Sequence, residues 1–464
     1  KILEADSRPE VLYALSDIRR NLMDWMDFSG QEHVLQLGSD YGVITGLLAE
    51  RCASVAVVDE RDENLVVNQK MNEAHTNISY MKAADFQKME AVEKEGKYDL
   101  IVLRADRPDM DIKECFTRLS SYLSENGKLI FACENALGLN FLSGAVHDED
   151  ETAFTKGELE EALKEAGLSK VEFYYPMPEY KRAVSVYSDR YLPGKGDIPH
   201  VTAVYDRQRW ACIHEDEISD KLVQEKAFGL FSNAYLAVAS KGAESFKTVF
   251  AKYNSTRKEE FQIRTAILEE NGKRYVEKTP LTEKAAGHIS SMSEKYEKLS
   301  KVNPGVKVLA PVYSEDKKAV RFEFLKGRTL AEILGEQIRG KKAPVEALKA
   351  AIDQIFGQAV LKNEPFAPTD PFKEVFGDSE DVLSLQDTSY EVSNIDGLFE
   401  NLMETEDGLY CMDYEWVFDF PIPEKFLKYR DLLYFYRRYE RVLNVKEEDL
   451  YAHFGITGGE LQIF

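Results

Sequence analysis

The chain has 464 residues, more than one hydrophobic core usually organises, so two or more domains are expected. Its 59 Lys and Arg residues stand against 82 Asp and Glu residues, and the net charge of -23 argues against a protein that binds nucleic-acid phosphates. The five cysteines include no C-x-x-C pair, which favours a reducing compartment and gives no zinc signature. No apolar run reaches the ~20 residues of a membrane helix, so we expect no transmembrane segment and a cytoplasmic location, with a peripheral position at the inner face of the membrane as the alternative.

The first predicted elements are a helix and a βαβ unit. Residues 9–27 place apolar side chains at near-helical spacing, which predicts an amphipathic helix against a sheet. Residues 34–60 contain an apolar run, a glycine-bearing turn, a helix-like segment and a second apolar run, and this order predicts strand, helix and strand. Gly38 and Gly42 let the backbone approach a ligand, and Asp59 ends the second strand, where an acid can bind both ribose hydroxyls.

The turn in this unit, residues 38–42 (GSDYG), resembles motif I of class I S-adenosylmethionine (SAM)-dependent methyltransferases, usually E-x-G-x-G-x-G. Gln36 stands in the acidic place of that motif and Asp40 in the place of its middle glycine. The resemblance implies that both glycines, Asp40 and Asp59 bind SAM. Asp40 would meet the cationic end of the cofactor or cap the following helix. For the loop taken alone, a structural turn that binds no ligand is the alternative.

Strands and helices continue to alternate up to about residue 242. Further strands and helices are predicted at 77–81, 98–103, 111–123, 128–133, 156–166, 170–176 and 234–241. The methyltransferase resemblance implies an α/β domain over 1–242 with a doubly wound, Rossmann-like sheet whose last strand, 234–241, is antiparallel. Residues 177–233 form a long insertion beside the mouth of the site, which we interpret as a substrate lid.

Asp85 and Phe86 directly follow the third predicted strand. Ligands of open α/β sheets bind outside the carboxyl ends of the strands. Class I methyltransferases place an acid near the adenine amine there, with an apolar neighbour against the ring. The resemblance therefore implies that Asp85 and Phe86 bind the adenine of SAM.

Residues 133–150 follow the fifth predicted strand and read CENALGLNFLSGAVHDED. This stretch is similar to the E-N-K-F-G-L-K-Y-F-x-G segment of bacterial methyltransferases found with cell-surface polysaccharide synthesis enzymes, and the later segments YPMPEYK and YSDRYLP also fit. The resemblance implies a glycan or glycolipid acceptor, with polysaccharide synthesis enzymes as partners. His147 falls at the family's D-H or H-D position and is a candidate catalytic base, with a surface or core histidine as the alternative.

From residue 243 the pattern changes to consecutive strands. Three strands, a helix and two further strands are predicted at 246–253, 261–269, 273–279, 281–299, 307–313 and 318–325. A helix is predicted after them at 344–361. This order resembles a protein-kinase-like fold, so 243–464 is predicted to be an α+β kinase-like domain.

The second domain also carries residues in the order of a kinase. Residues 276–278 (VEK) resemble V-A-I-K, and the resemblance implies that Lys278 neutralises the phosphates of ATP. Glu294 on the next predicted helix is the expected partner of this lysine, and Glu297 is the second candidate.

Three further residues complete the kinase pattern. Asp396 and Asn401 have the spacing of H-R-D-x-x-x-x-N, and Asp413 stands where the metal-binding aspartate of D-F-G would be. The resemblance implies that Asp396 is the catalytic base and that Asn401 and Asp413 hold Mg²⁺. No Gly-rich loop is present and the arginine of H-R-D is absent, whereas the D-Y-E form resembles that of small-molecule kinases related to choline and aminoglycoside kinases.

The order of the two domains resembles bifunctional enzymes that cap bacterial O-polysaccharides by phosphorylating and then methylating the terminal sugar. We therefore interpret the chain as a SAM-dependent methyltransferase with an associated kinase-like domain that acts on a cell-surface glycan or glycolipid precursor. A methyltransferase with an inactive kinase-like module is one alternative. A non-catalytic scaffold of a polysaccharide synthesis complex is the other.

Overall fold

The structure is a computed structural model that describes residues 8, 11, 14–90, 98–105, 110–146, 152–198, 213, 215–314, 318–339, 344–360, 362–363 and 365–464. The chain divides into two compact units. Unit 1 is Lys1–Lys258 with Gln262–Lys273, and unit 2 is Glu259–Phe261 with Arg274–Phe464.

In the part of the chain that the structure describes, unit 1 contributes ten strands to one sheet. They are β1 (His33–Leu37), β2 (Ser54–Asp59), β3 (Ile78–Lys82), β4 (Tyr98–Arg104), β5 (Leu123–Glu134), β6 (Lys170–Met177), β7 (Ser185–Ser188), β8 (Ala234–Ser240), β9 (Thr248–Tyr253) and β10 (Ile263–Glu270). They lie in the order β3-β2-β1-β4-β5-β8-β6-β7-β9-β10. The five strands β1 to β5, which lie side by side in the order β3-β2-β1-β4-β5, are parallel. Strand β8 is antiparallel to both of its neighbours, β5 and β6. This confirms the predicted α/β sheet and its antiparallel strand.

Helices cover the connections between these strands. They are α1 (Val43–Arg51), α2 (Asp62–Met71), α3 (Ala83–Glu90), α4 (Ile112–Ser120), α5 (Leu139–Leu142), α6 (Lys156–Glu165), α7 (Glu215–Gln224) and α8 (Phe228–Phe231). Capping explains where two of them begin. Asp111 accepts hydrogen bonds from two backbone N–H groups of α4, and Thr155 and Glu158 form a capping box at α6.

Apolar side chains of the strands and of α4 and α6 form the core of unit 1. Phe116 of α4 and Phe131 of β5 are fully buried, with ring centroids 5.0 Å apart in an edge-to-face arrangement. Leu159 and Leu163 of α6 join the same cluster. Burial of each such side chain contributes about 1.5–3 kcal/mol. These contacts fix the strands whose ends carry the predicted site.

The predicted helix over 9–27 is only partly present: residues 11, 14 and 15 are α-helical, but no single helix spans the described part of this range. A short 3-10 helix, Asp17–Leu22, is followed by a turn from which Met23, Trp25 and Met26 are buried. The indole N–H of Trp25 donates to the carbonyl of residue 22 at 2.8 Å. The apolar spacing therefore comes from a compact turn that packs into the core instead of from one helix face.

The predicted insertion over 177–233 is partly built into the sheet. Strand β7 pairs with β6 on one side and with β9 on the other. The helices α7 and α8 also belong to this segment. Residues 199–212 and 214 lie outside the described residues, and the interpretation as a lid stays a prediction.

The compact units differ from the predicted division at 242/243. Strands β9 and β10, predicted as the start of the second domain, belong to unit 1. Arg264 of β10 donates to the backbone carbonyl and to the carboxylate of Asp24 at 2.7 and 3.0 Å. Thr248 of β9 donates to the carbonyl of Trp25 at 3.0 Å. These bonds and the pairing with β7 hold both strands to unit 1.

Unit 2 combines short strands with helices. Its strands are β11 (Lys273–Pro280), β12 (Lys307–Val308), β13 (Val312–Ser314), β14 (Ala319–Glu323), β15 (Arg328–Thr329), β16 (Lys362–Asn363), β17 (Ser389–Tyr390), β18 (Ser393–Asn394), β19 (Leu402–Thr405), β20 (Gly408–Cys411), β21 (Val417–Phe418) and β22 (Ile422–Pro423). Neighbours follow the orders β13-β14-β11, β12-β20-β19-β15, β16-β17-β22 and β18-β21.

The helices of unit 2 are α9 (Ala286–Ser290), α10 (Met292–Leu299), α11 (Leu330–Ile338), α12 (Pro344–Phe356), α13 (Asp370–Phe376), α14 (Glu380–Leu383), α15 (Glu424–Leu443), α16 (Glu447–His453) and α17 (Gly458–Ile463). The predicted helix over 281–299 is interrupted at Ser291, which separates α9 from α10. The longest of these helices, α15, is tied to the segment before β19, because the carboxylate of Asp431 accepts the backbone N–H of Phe399 at 3.1 Å.

Candidate functional site

The loop between β1 and α1 is a tight turn with three residues at positive φ. Gly38 has φ 80°, Asp40 has φ 45° and Gly42 has φ 93°. A Cβ atom on Gly42 would lie 2.6 Å from the side-chain nitrogen of Asn72. Gly42 is therefore required by the backbone and by the close approach of α2, so its presence alone is not evidence for a ligand.

Buried polar side chains hold this loop in place. Asn68 of α2 donates to Thr45 Oγ1 at 2.7 Å and to the carbonyl of Ser39 at 3.2 Å. Thr45 donates in turn to Gln36 Oε1 at 2.8 Å. Each donor finds an acceptor in a buried network, which fixes the shape of the loop. Gln36, which stands where motif I usually has an acidic residue, thus accepts a hydrogen bond from Thr45 of α1.

Asp59 lies at the carboxyl end of β2, as predicted, but its carboxylate is already engaged. It accepts hydrogen bonds from the backbone N–H and the hydroxyl of Ser39 at 2.7 and 2.8 Å and from the backbone N–H of Arg61 at 2.8 Å. Asn64 donates to both carboxylate oxygens at 3.3 Å. A ribose hydroxyl would bind Asp59 in exchange for one of these donors, and the role as ribose ligand stays a prediction.

A cavity of about 540 Å³, part of which is open to solvent, lies at the carboxyl ends of β1 and β4. Gly38 and Asp40 line it together with three cationic side chains, those of Arg19, Arg104 and Lys181. Arg19 forms an ion pair with Asp40, and Arg104 Nη2 lies 2.6 Å from Asp40 Oδ1. The cavity wall therefore presents charges of both signs. Neither arginine was singled out from the sequence, because each is distant from residue 40 along the chain.

The predicted adenine ligands are not among the described residues that line this cavity. Phe86 is buried in the core of unit 1 and meets Tyr122 edge to face at 6.0 Å. Asp85, in the first turn of α3, is exposed. The candidate base His147 lies outside the described residues. All three assignments stay predictions.

Unit 2 brings the predicted lysine and the predicted metal ligand together. Lys278 on β11 is buried, and its Nζ donates to Asp413 Oδ1 at 2.8 Å and to Glu415 Oε1 at 2.5 Å. Burial lowers the pKa of Lys278, but the carboxylates of Asp413 and Glu415 outweigh this and raise it above its ordinary value. The lysine is a fixed cation in this site.

Glu294 is not the partner of Lys278 in this structure. Its side chain is 67% exposed and pairs with Lys298 at 2.6 Å, one helical turn away. Glu415, two residues after Asp413, supplies the second carboxylate instead. The D-Y-E sequence carries this signal, because Asp413 and Glu415 lie only two residues apart and both carboxylates contact Lys278.

The second predicted group of residues is connected to the first by backbone contacts. Asn401 Nδ2 donates to the carbonyl of Asp396 at 2.9 Å. Asn394 accepts the N–H of Asp396 at 3.1 Å and donates to the carbonyl of Asp413 at 2.9 Å. Arg430 of α15 lies 3.2 Å from Asp396 Oδ1. Residues 394–401 and Asp413 therefore lie together, and Arg430 adds a cation beside Asp396 that the sequence pattern did not indicate.

In the part of the chain that the structure describes, no group of three or more His, Cys, Asp or Glu side chains is arranged to hold a metal ion. No described helix has the length and apolar character needed to cross a membrane. That Asn401 and Asp413 hold Mg²⁺ therefore stays a prediction.

The chain matches no protein-family model and no curated protein sequence. Solved structures that match about half of the chain are SAM-dependent methyltransferases. One from Archaeoglobus fulgidus is 15% identical with a TM-score of 0.32, and the match covers 50% of this chain and 93% of that one. One from Mesorhizobium loti is 13% identical with a TM-score of 0.30, covering 49% and 99%.

A third structure is phosphoethanolamine N-methyltransferase 1 of Haemonchus contortus, in complex with phosphoethanolamine and S-adenosylhomocysteine. It is 14% identical with a TM-score of 0.30, and the match covers 52% of this chain and 45% of that one. Identities and TM-scores this low say nothing of the substrate or activity of this chain.

Proposed function

We propose that unit 1 transfers the methyl group of SAM to an acceptor. The supporting observation is the cavity at the carboxyl ends of β1 and β4, where charges of both signs lie beside Gly38. The amino-acid end of SAM is a zwitterion, so Asp40 would oppose its amine while Arg19 and Arg104 would bind its carboxylate. The sulfonium of SAM supplies an electrophilic methyl group. Gly38 and Asp59 would bind the nucleoside part.

We propose a cell-surface glycan or glycolipid precursor as the acceptor, because residues 133–150 resemble methyltransferases of that type. Lys181 lines the same cavity as the two arginines, and three cations beside one carboxylate suit an acceptor that carries an anionic group such as a phosphate. An ionised phosphate oxygen is already a nucleophile, so it needs no base. A sugar hydroxyl would need one, and His147 is the candidate.

We further propose that unit 2 phosphorylates this acceptor with ATP and Mg²⁺. Lys278 supplies a buried cation for the phosphates, and Asp413 keeps 35% of its side-chain surface exposed beside it, so a cation can reach its carboxylate. Asp396 would take the proton from the attacking hydroxyl as the new P–O bond forms and the γ-phosphate leaves ADP. An inactive module that only binds the acceptor and a non-catalytic scaffold are the alternatives.

The first test concerns SAM. In Gly38→Val a side chain enters the cavity, so calorimetry on the full chain should show an affinity for SAM lowered by about 10-fold or more. Gly30→Val is the matched control, because Gly30 has φ 84° but a Cβ there meets nothing closer than 4.0 Å. Wild type that binds no SAM, or equal affinities in both variants, would contradict the proposal.

The second test separates an active kinase from an inactive module. Wild type should bind ATP more tightly with Mg²⁺ than with chelator, and Asp413→Asn should lose this difference. Asp396→Asn should keep ATP binding and slow phosphate transfer by roughly 10²- to 10⁴-fold, measured with radiolabelled ATP and a glycan extract. Asp407→Asn, an exposed aspartate in the β19–β20 turn, should change neither. Metal-independent binding without turnover in wild type would favour the inactive module.

A further inference from the structure

The helix α15 of unit 2 packs with one side and exposes another. Its buried residues, among them Phe435, belong to the packed side. On the other side the spacing i, i+4, i+7, i+11 places four residues along one helix face. The last three are exposed, and the first keeps 20% of its side-chain surface exposed. We call these four residues the α15 stripe: Arg430, Tyr434, Arg437 and Arg441.

The α15 stripe carries three cations in a chain whose net charge is -23. The acids of the same helix, Glu424, Asp431 and Glu440, fall outside the stripe at a period of 3.6 residues. Arg437 forms no ion pair with any described residue. The summed charge of the chain repels an anionic ligand, so a local row of cations is needed to bind one. The stripe supplies such a row.

Tyr434 places an aromatic ring between Arg430 and Arg437 along the stripe. It is 37% exposed, and the guanidinium carbon of Arg430 lies 5.4 Å from the centre of its ring. The carbon-bound hydrogens of a pyranose pack on an aromatic face, while guanidinium groups bind carboxylates. Alternating arginine and tyrosine therefore suit a chain of acidic sugars. A lipid surface would find little apolar area on this face, because the stripe has no aliphatic side chain.

The α15 stripe begins at the candidate catalytic base of unit 2. Arg430 Nη2 donates to Asp396 Oδ1 at 3.2 Å, and its Nε donates to the carbonyl of Ile395 at 2.7 Å. Arg430 and Asp396 keep 20% and 21% of their side-chain surfaces exposed, so a ligand can reach both. At 1.5 Å per helical residue, the stripe extends about 16 Å from this point. A glycan chain along the stripe would therefore present its end to Asp396.

We propose that the α15 stripe binds an acidic glycan, a chain of sugars that carry carboxylates, and directs its terminal hydroxyl to Asp396. This inference rests on the proposed function of unit 2 and adds the charge class of the acceptor. Arg437 and Arg441 would bind carboxylates of the chain, and Tyr434 would pack against a sugar face. Arg430 would hold the end of the chain beside the base.

The test uses hexagalacturonate, an acidic hexasaccharide, and maltohexaose, an uncharged one, as probes in calorimetry on the full chain. Wild type should bind the acidic probe at least ~10-fold more tightly than the neutral one. Arg437→Gln should weaken binding of the acidic probe by about 2- to 5-fold, the usual effect of an exposed charge pair. Lys349→Gln removes the same charge from an exposed position on α12, so it is the matched control and should bind as wild type does.

The ring of Tyr434 has its own pair of variants. Tyr434→Ala should weaken binding of the acidic probe by about 2- to 10-fold, because the surface for the sugar face is lost. Tyr434→Phe keeps the ring and should bind as wild type does. A loss of charge alone would not distinguish these two variants, and circular dichroism checks that both are folded.

Three results would overturn the proposal: no binding of hexagalacturonate to wild type at about 1 mM, equal affinities of Arg437→Gln and Lys349→Gln for it, or equally tight binding of hexathymidylate. The last result would show a surface for polyanions in general. Stripe-dependent binding of the acidic probe without phosphate transfer from ATP to any glycan extract would contradict the kinase proposal and leave the binding surface standing. Phosphate transfer to a glycan extract without binding of the probe would overturn the surface alone.

Discussion

The ionisable groups around Glu415 make the charge of unit 2 dependent on pH. The carbonyl of Glu415 accepts a hydrogen bond from Lys295 Nζ at 2.5 Å, and His288 Nε2 lies 3.7 Å from its carboxylate. Burial lowers the pKa of Lys295 to about 8, the Glu415 carboxylate opposes this, and the Lys278 cation adds to the lowering. A lysine with this pKa changes its charge near neutral pH, which an exposed lysine does not do.

This shift predicts how stability changes with pH. Between pH 8 and 10.5 the unfolded chain keeps the proton of Lys295 while the folded chain has lost it, so the free energy of unfolding should rise with pH in this window. The gain should approach about 3 kcal/mol relative to Lys295→Met, measured by urea unfolding at pH 7.5 and 10.5. Lys301→Met, at an exposed position, is the control, and an equal pH dependence of Lys295→Met and wild type would contradict the assignment.

At the scale of elements, hydrogen bonds from Asn68 and Asn72 hold the loop after β1 against α2. Asn72 Nδ2 donates to the carbonyl of Gly42 at 2.9 Å, and Asn68 reaches Ser39 and Thr45. Because Gly42 has no side chain, α1 and α2 can approach this closely. The loop is thereby shaped by its neighbours before any ligand binds.

We therefore expect Gly42→Ala to be strongly destabilising. The added Cβ would meet the side chains of Asn72 at 2.6 Å and Asn68 at 2.8 Å, and the backbone has φ 93°. The expected loss is about 2–4 kcal/mol in the free energy of unfolding, compared with about 1 kcal/mol for Gly30→Ala, which has a similar φ and open space. Chemical unfolding measures both, and equal losses would show that the contact with α2 is unimportant.

The sequence predicted the elements that depend on local pattern. Gly38 follows β1, Gly42 precedes α1 and Asp59 ends β2, as expected, because apolar periodicity and glycines mark such positions locally. The contacts of Asn68 were not predictable, since a polar residue on a helix usually faces solvent. Glu294 was expected at Lys278 because the kinase pattern places a glutamate of the next helix there, whereas Glu415, 137 residues along the chain from this lysine, takes that place.

At the scale of the whole molecule, strands β9 and β10 belong to the sheet of unit 1 although the change in sequence pattern precedes them. Ser185 and Val186 of β7 pair with β9, and the hydroxyl of Ser188 donates to the carbonyl of Val249 at 2.7 Å. Without these strands, the edge of β7 would be exposed as a row of backbone groups, which promotes association between chains.

A fragment of residues 1–273 should therefore associate less and unfold at a higher temperature than a fragment of residues 1–242, because only the longer fragment keeps the strands that pair with β7. Size-exclusion chromatography and thermal unfolding measure the two properties. A monomeric 1–242 fragment with the same unfolding temperature would instead support a boundary at residue 242.

Each unit has a buried thiol whose rate of alkylation can report local opening of that unit. Cys411, at the end of β20 in unit 2, and Cys52, at the end of α1 in unit 1, are both buried, and burial raises the pKa of each to about 12. At pH 8 such a thiol can be alkylated only after its surroundings open and the thiolate meets the reagent. The rate at which mass spectrometry detects the adduct would thus report the opening of the segment before Asp413 separately from that of α1, with no introduced label.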